Sequence, residues 1–174
     1  LLDSHSEAAV LVEPSEIRAF SDAEYKSLGL KVESDISGAD VMIGVKEVPI
    51  EALIPNKSYF FFSHTIKKQP YNRKLLQAVL AKNITLYDHE TLVNEKYHRL
   101  IGFGYYAGIV GAYNAMRTIG KKFNCFKLPK ANELKDRYEL EAALKEIELP
   151  PLKIVLTGNG RVGQGGQRNI GFYE

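Results

Sequence analysis

DVMIGVKEVPIEALIPNKSYFFFSHTIKKQP, residues 40–70, holds two apolar runs that each stop on an ionisable side chain. The first, Val41 to Val45, breaks at Lys46, Glu47 and Pro49; the second, Tyr59 to Phe62, breaks at Ser63 and His64. Short apolar runs closed by turn residues read as strands covered on both faces, the pattern of a parallel sheet. Between them PIEALIPNKS (49–58) fits a helical turn ended by Pro55. After them PYNRKLLQAVLAKN (70–83) reads as an amphipathic helix, with Leu75, Leu76, Val79 and Leu80 on one stripe and Arg73, Lys74 and Lys82 outward. ITLYDHE (84–90) makes the next strand. Strands alternating with helices at this spacing predict βα units. In such sheets ligands gather at the carboxyl ends of the strands, which is where Lys46 and His64 lie.

Working outward, AAVLVEP (8–14) reads as a short buried strand stopped by Pro14. FSDAEYKSLG (20–29) carries a capping box, Ser21 with Glu24, and a stop at Gly29. Downstream, RLIGFG (99–104) reads as one more strand. YYAGIVGAYNAMRTIGKK (105–122) reads as a helix with Ala107, Gly108, Gly111, Ala112 and Ala115 on successive turns, a face that lets another backbone come close. The charged stretch 131–151, ending in a diproline, reads as a connector between a first domain (1–130) and the start of a second (152–174).

In that second part an apolar strand, KIVLTG, runs into Gly158, Gly160 and Gly163, spaced as G-x-G-x-x-G. At a strand end this spacing suits a dinucleotide. The first glycine makes the turn, the second admits a pyrophosphate, and the third packs helix on strand. The following QGGQRNIGFYE (164–174) shows no helical stripe, so no helix is expected there and the cofactor domain reads as incomplete.

The composition excludes several classes. The 174 residues are 45% hydrophobic and 25% charged, an ordinary globular balance. A net charge of +2 with dispersed basic residues argues against nucleic acid or an acidic membrane surface as partner. No apolar run reaches the roughly 20 residues of a membrane span. Cys125 is the single cysteine, so no intrachain disulfide forms, no zinc-type Cys/His spacing exists, and a cytoplasmic location is expected. No metal site is expected.

A lysine in a partly desolvated site can exchange protons near neutral pH, and histidine titrates there already. Lys46 and His64 are therefore the candidate acid/base pair. Glu47 reads as a surface charge, Lys67 and Lys68 as a solvated loop, and His5, His89 and His98 as unremarkable.

The segments VEPSEIRAFSDAEY, DVMIGVKEVP, FFSHTIKKQ, RLIGFGYYAGIVGAYN and KIVLTGNGRVGQG together resemble the saccharopine dehydrogenase, alanine dehydrogenase and transhydrogenase NAD-binding family, with FFSHTIKKQ closer to the saccharopine dehydrogenase branch. The resemblance implies an α/β protein. A Rossmann-like, parallel-sheet, substrate-side domain would be followed by the start of a dinucleotide-binding Rossmann domain. It implies NAD or NADP bound at Gly158, Gly160 and Gly163, and Lys46 and His64 as the acid/base residues. Small-molecule amino acids or oxo acids would be the substrates, with a homo-oligomer possible at the 105–120 helix. The implied reaction is reversible oxidative deamination: hydride leaves the amine-bearing carbon, and water opens the resulting imine. Family members open with a strand and a basic, carboxylate-gripping segment; the chain here starts at Leu1, past that point, so these residues alone are expected to be inactive. A cofactor-binding subunit without its own substrate and a noncatalytic α/β module are the competing readings. The last would be supported by Lys46 and His64 on different faces of the sheet.

Overall fold

The apolar runs before Lys46 and His64 form adjacent parallel strands. In the computed structural model, which describes residues 4–5 and 7–171, β3 (Val41–Ile43) pairs with β4 (Ser58–Phe61), and β4 with β5 (Thr85–Asp88), all parallel. The register aligns Ile43, Phe60 and Tyr87. A second parallel pair, β1 (Leu11–Val12) and β2 (Lys31–Val32), flanks α1 (Asp22–Ser27). The capping box of α1 forms as expected: Ser21 Oγ accepts from the Glu24 amide, and the Glu24 carboxylate accepts from the Ser21 amide at 2.7 Å. This is an α/β protein with parallel sheets.

Alternation along β4 turns Tyr59 and Phe61 into a core with Met42, Leu53, Leu75 and Val79. The last two come from α2 (Arg73–Ala81), whose buried line is narrower than its apolar stripe. Leu76 and Leu80, one residue further round the helix, stay exposed. Lys82, expected to face outward, instead donates from Nζ to the Ile50 and Leu53 carbonyls at 2.9 and 2.5 Å. It thereby serves the first carbonyl of the short 3₁₀ turn Ile50–Ala52 and the carbonyl of its cap, Leu53.

Two compact units divide the chain, Leu1–Gly102 and Phe103–Glu174. The second holds α3 (Gly104–Phe123), α4 (Arg137–Lys145) and α5 (Arg161–Ile170). Its core gathers Ile109, Tyr113 and Met116 of α3 with Leu128, Leu140 and Leu144, so the stretch read as a connector contributes core residues. The unit boundary precedes residue 130 because α3 packs on α5.

Three expectations are corrected. RLIGFG forms no strand; Arg99 makes only an isolated antiparallel bridge to Val93, and α3 begins at Gly104. KIVLTG has no ladder partner among the described residues, and a strand exists only by pairing; Val155 is exposed. The tail after Gly163 is helical, within α5, despite its glycines. Packing overrides propensity there: a Cβ on Gly165 would lie 1.9 Å from the Tyr105 carbonyl oxygen of α3, so the two helix backbones nearly touch. Residues 172–174 of that stretch lie outside the described residues.

Candidate functional site

The carboxyl ends of β3, β4 and β5 bring together the ionisable residues that end these three strands. Lys46 follows β3 and is exposed; His64 follows β4; Asp88, His89 and Glu90 close β5 and are buried. Lys46 and His64 therefore sit at the same edge of one sheet, on hydrogen-bonded neighbours.

Glu47 is part of this site and not a bystander on the surface. Its Oε1 lies 2.5 Å from His64 Nδ1. A carboxylate accepts, so Nδ1–H donates, and Nε2 is left to take or give a proton. Burial pushes the Glu47 carboxyl up. The His64 hydrogen bond, a backbone hydrogen bond and the charges of His64 and Lys46 outweigh it, holding the group below the usual carboxylate range. Because its folded-state value is depressed, ionised Glu47 favours the fold. That contribution is full above the unfolded carboxylate value and disappears as pH falls through the folded one. Urea unfolding of wild type and Glu47→Gln from pH 7 down to pH 3 should show a wild-type advantage that shrinks towards the acid end.

His64 itself has φ +56°, in the left-handed region, as does Lys68 at +54°. The turn between them is fastened from β5. Asp88 accepts from Ser63 Oγ at 2.5 Å, from the Ser63 amide at 3.3 Å and from the Glu90 amide at 2.9 Å. Ser63 Oγ accepts in turn from the Thr65 amide at 3.1 Å, and Asn72 Nδ2 donates to the Ser63 carbonyl at 3.2 Å. A non-glycine residue in this region is strained and persists only where its surroundings hold it, and this network holds His64. The Glu90 side chain is 4% exposed and meets Lys67 Nζ and Arg99 Nη2, each at 3.1 Å, so Lys67 is engaged where a solvated loop was expected. The one sequence signal for these partners was the acidic pair in YDHE at the end of an apolar run.

The second unit carries the glycine turn. Gly158 has φ +90°, which a side chain would strain. Around Gly160 nothing lies within 4 Å of where a Cβ would stand, and a Cβ on Gly163 would meet the Gly158 carbonyl oxygen at 2.1 Å. Turn, open approach and tight packing thus fall on the three glycines in the order a pyrophosphate requires. Gly160 caps α5, whose first-turn amides have no acceptor within the helix. Beside the turn is a cavity of about 640 Å³ lined by Gly108, Gly111 and Ala115 of α3 and by Ile154, Leu156 and Gly158. The residues present fit a dinucleotide phosphate. Among the described residues no helix is long and apolar enough to cross a membrane, and no group of His, Cys, Asp and Glu could hold a metal ion.

Residues 3–110, more than half of the chain, match the family described as alanine dehydrogenase/PNT, N-terminal domain. The chain is 35% identical to the mitochondrial alpha-aminoadipic semialdehyde synthase of Bos taurus, over 91% of its own length and 19% of that protein. It is 30% identical to the alpha-aminoadipic semialdehyde synthase of Arabidopsis thaliana, over 91% of the chain and 16% of that protein. It is also 30% identical to the saccharopine dehydrogenase [NAD(+), L-lysine-forming] of Yarrowia lipolytica, over 100% of the chain and 52% of that protein. The chain therefore spans about a fifth of the synthases and about half of the dehydrogenase. With a parallel sheet that ends in Lys46 and His64, and a match over most of its first unit, the chain belongs to the alanine dehydrogenase/PNT N-terminal domain family.

Proposed function

We propose that the chain is the substrate-side part of an NAD(P)-dependent oxidoreductase acting on the CH–NH group of an amino acid, of the saccharopine dehydrogenase kind. In this reading the first unit, to Gly102, belongs to the substrate-side domain, and the second unit carries the opening of the cofactor domain from residue 152. The observation that carries the reading is the Glu47–His64 hydrogen bond beside Lys46 at the carboxyl edge of the sheet. A histidine held at Nδ1 by a carboxylate presents Nε2 in one orientation, where it can pass a proton to or from a substrate. His64 activates the water that attacks a substrate imine, and Lys46 gives or takes the second proton. The dinucleotide, when bound, supplies the hydride acceptor; Gly158, Gly160 and Gly163 would hold its pyrophosphate.

The test is absorbance of NADH and NADPH with the full-length protein. Saccharopine, alanine and other amino acids are offered in one direction, and oxo acids with lysine or ammonia in the other. Turnover with saccharopine and with an oxo acid plus lysine is the expected result. Ammonia in place of lysine would move the protein to the alanine dehydrogenase kind. Cofactor binding with no turnover would overturn the reading in favour of a cofactor-binding subunit.

A further inference from the structure

We propose that His89 is a positioning residue for both Lys46 and His64; the inference rests on the proposed reaction. Its starting point is an irregularity at the end of β3. Ile43 is in register with Phe60, and the Gly44 amide donates to the Phe60 carbonyl at 2.8 Å. In an unbroken parallel ladder the Phe62 amide would then donate to the Gly44 carbonyl. It donates to the Val45 carbonyl instead, at 3.1 Å, one residue further along. The strand has taken in an extra residue at Gly44–Val45, and such a slip re-aims the side chains beyond it, here Lys46.

The Gly44 carbonyl displaced by that slip is caught from two strands away. His89 Nε2 lies 3.1 Å from it, and since a carbonyl only accepts, the ring donates there. The same ring meets the edge of Phe62 at 5.2 Å between centroids, and Phe62 lies nearly parallel to the His64 ring at 6.3 Å. His89 is 9% exposed, and its Nδ1 is buried without a hydrogen-bond partner. A buried ring that leaves one nitrogen unpaired is held by its other contacts. Those contacts include the carbonyl two residues before Lys46 and the aromatic ring beneath His64, with Phe60 6.3 Å away between ring centroids. One side chain from β5 thus sets the backbone of one candidate acid/base group and the shelf of the other.

Two variants in the full-length protein separate this role from packing. His89→Phe keeps an aromatic ring against Phe62 and removes the donor; His89→Gln restores an N–H at the position of Nε2. His89→Phe should lower kcat about tenfold or more with KM within about twofold, and His89→Gln should recover most of the loss. Wild-type kcat in His89→Phe would overturn the proposal, as would equal loss in both variants, which would make His89 a packing residue only. If the wild type itself shows no turnover, the proposed function fails. Amide hydrogen exchange of the 41–49 segment then decides the positioning: faster exchange in His89→Phe that His89→Gln reverses supports it, and unchanged exchange overturns it.

Discussion

His64→Asn should reduce turnover about 10²–10⁴-fold, the usual effect of removing a general acid/base, while the protein stays folded. The choice of asparagine comes from the backbone. His64 sits at φ +56°, where alanine is disfavoured and asparagine is tolerated, so alanine would confound lost chemistry with a strained turn. Asparagine also keeps an amide near the place of Nδ1, within reach of the Glu47 carboxylate that accepts from His64. The Ser63–Asp88–Thr65 bonds that hold the turn do not involve the imidazole. Steady-state assays with saturating cofactor, alongside urea unfolding of both proteins, make the check. Turnover within a few-fold of wild type at unchanged stability would remove His64 from the chemistry.

Gly108→Ala should destabilise the second unit by about 3 kcal/mol, the upper part of the range for overpacking. A Cβ on Gly108 would stand 2.0 Å from the Val162 carbonyl oxygen and 2.9 Å from the Gly166 amide nitrogen, both backbone atoms of α5. Backbone cannot rotate away as a side chain would, so the helices must part. That parting would also disturb the turn 158–163 from which α5 starts. Gly111→Ala is the internal contrast. It lies one turn along the same helix with nothing within 4 Å of the added carbon, and alanine is the better helix former. It should gain up to about 1 kcal/mol. Urea midpoints of the two variants and wild type should order as Gly111→Ala, wild type, Gly108→Ala; a Gly108→Ala midpoint equal to wild type would show that the helices do not meet there.

Local pattern alone determined the sheet. Apolar runs stopped by charge and proline located β3, β4 and β5, a capping box located α1, and the small residues of 105–122 announced a close helix contact. It also marked Lys46 and His64, because an ionisable residue after a buried strand is visible in one dimension. Where a feature depends on residues far apart in the chain, the letters were silent or misleading. Glu47 looked like a surface charge until its partner, 17 residues away, came beside it. His89 looked unremarkable until strand pairing brought Gly44 within its reach, 45 residues back. RLIGFG and KIVLTG have strand composition but no ladder partner among the described residues, and hydrogen bonds between strands, not composition, make a strand. Arg161–Ile170 has the reverse history: three glycines argue against a helix, and contact with α3 at the Tyr105 carbonyl and Gly108 holds one. Propensity is worth tenths of a kcal/mol per residue, and tertiary packing overrides it where two backbones meet. That two ionisable residues end neighbouring strands was therefore readable from the chain; which residues touch them was decided only by the fold.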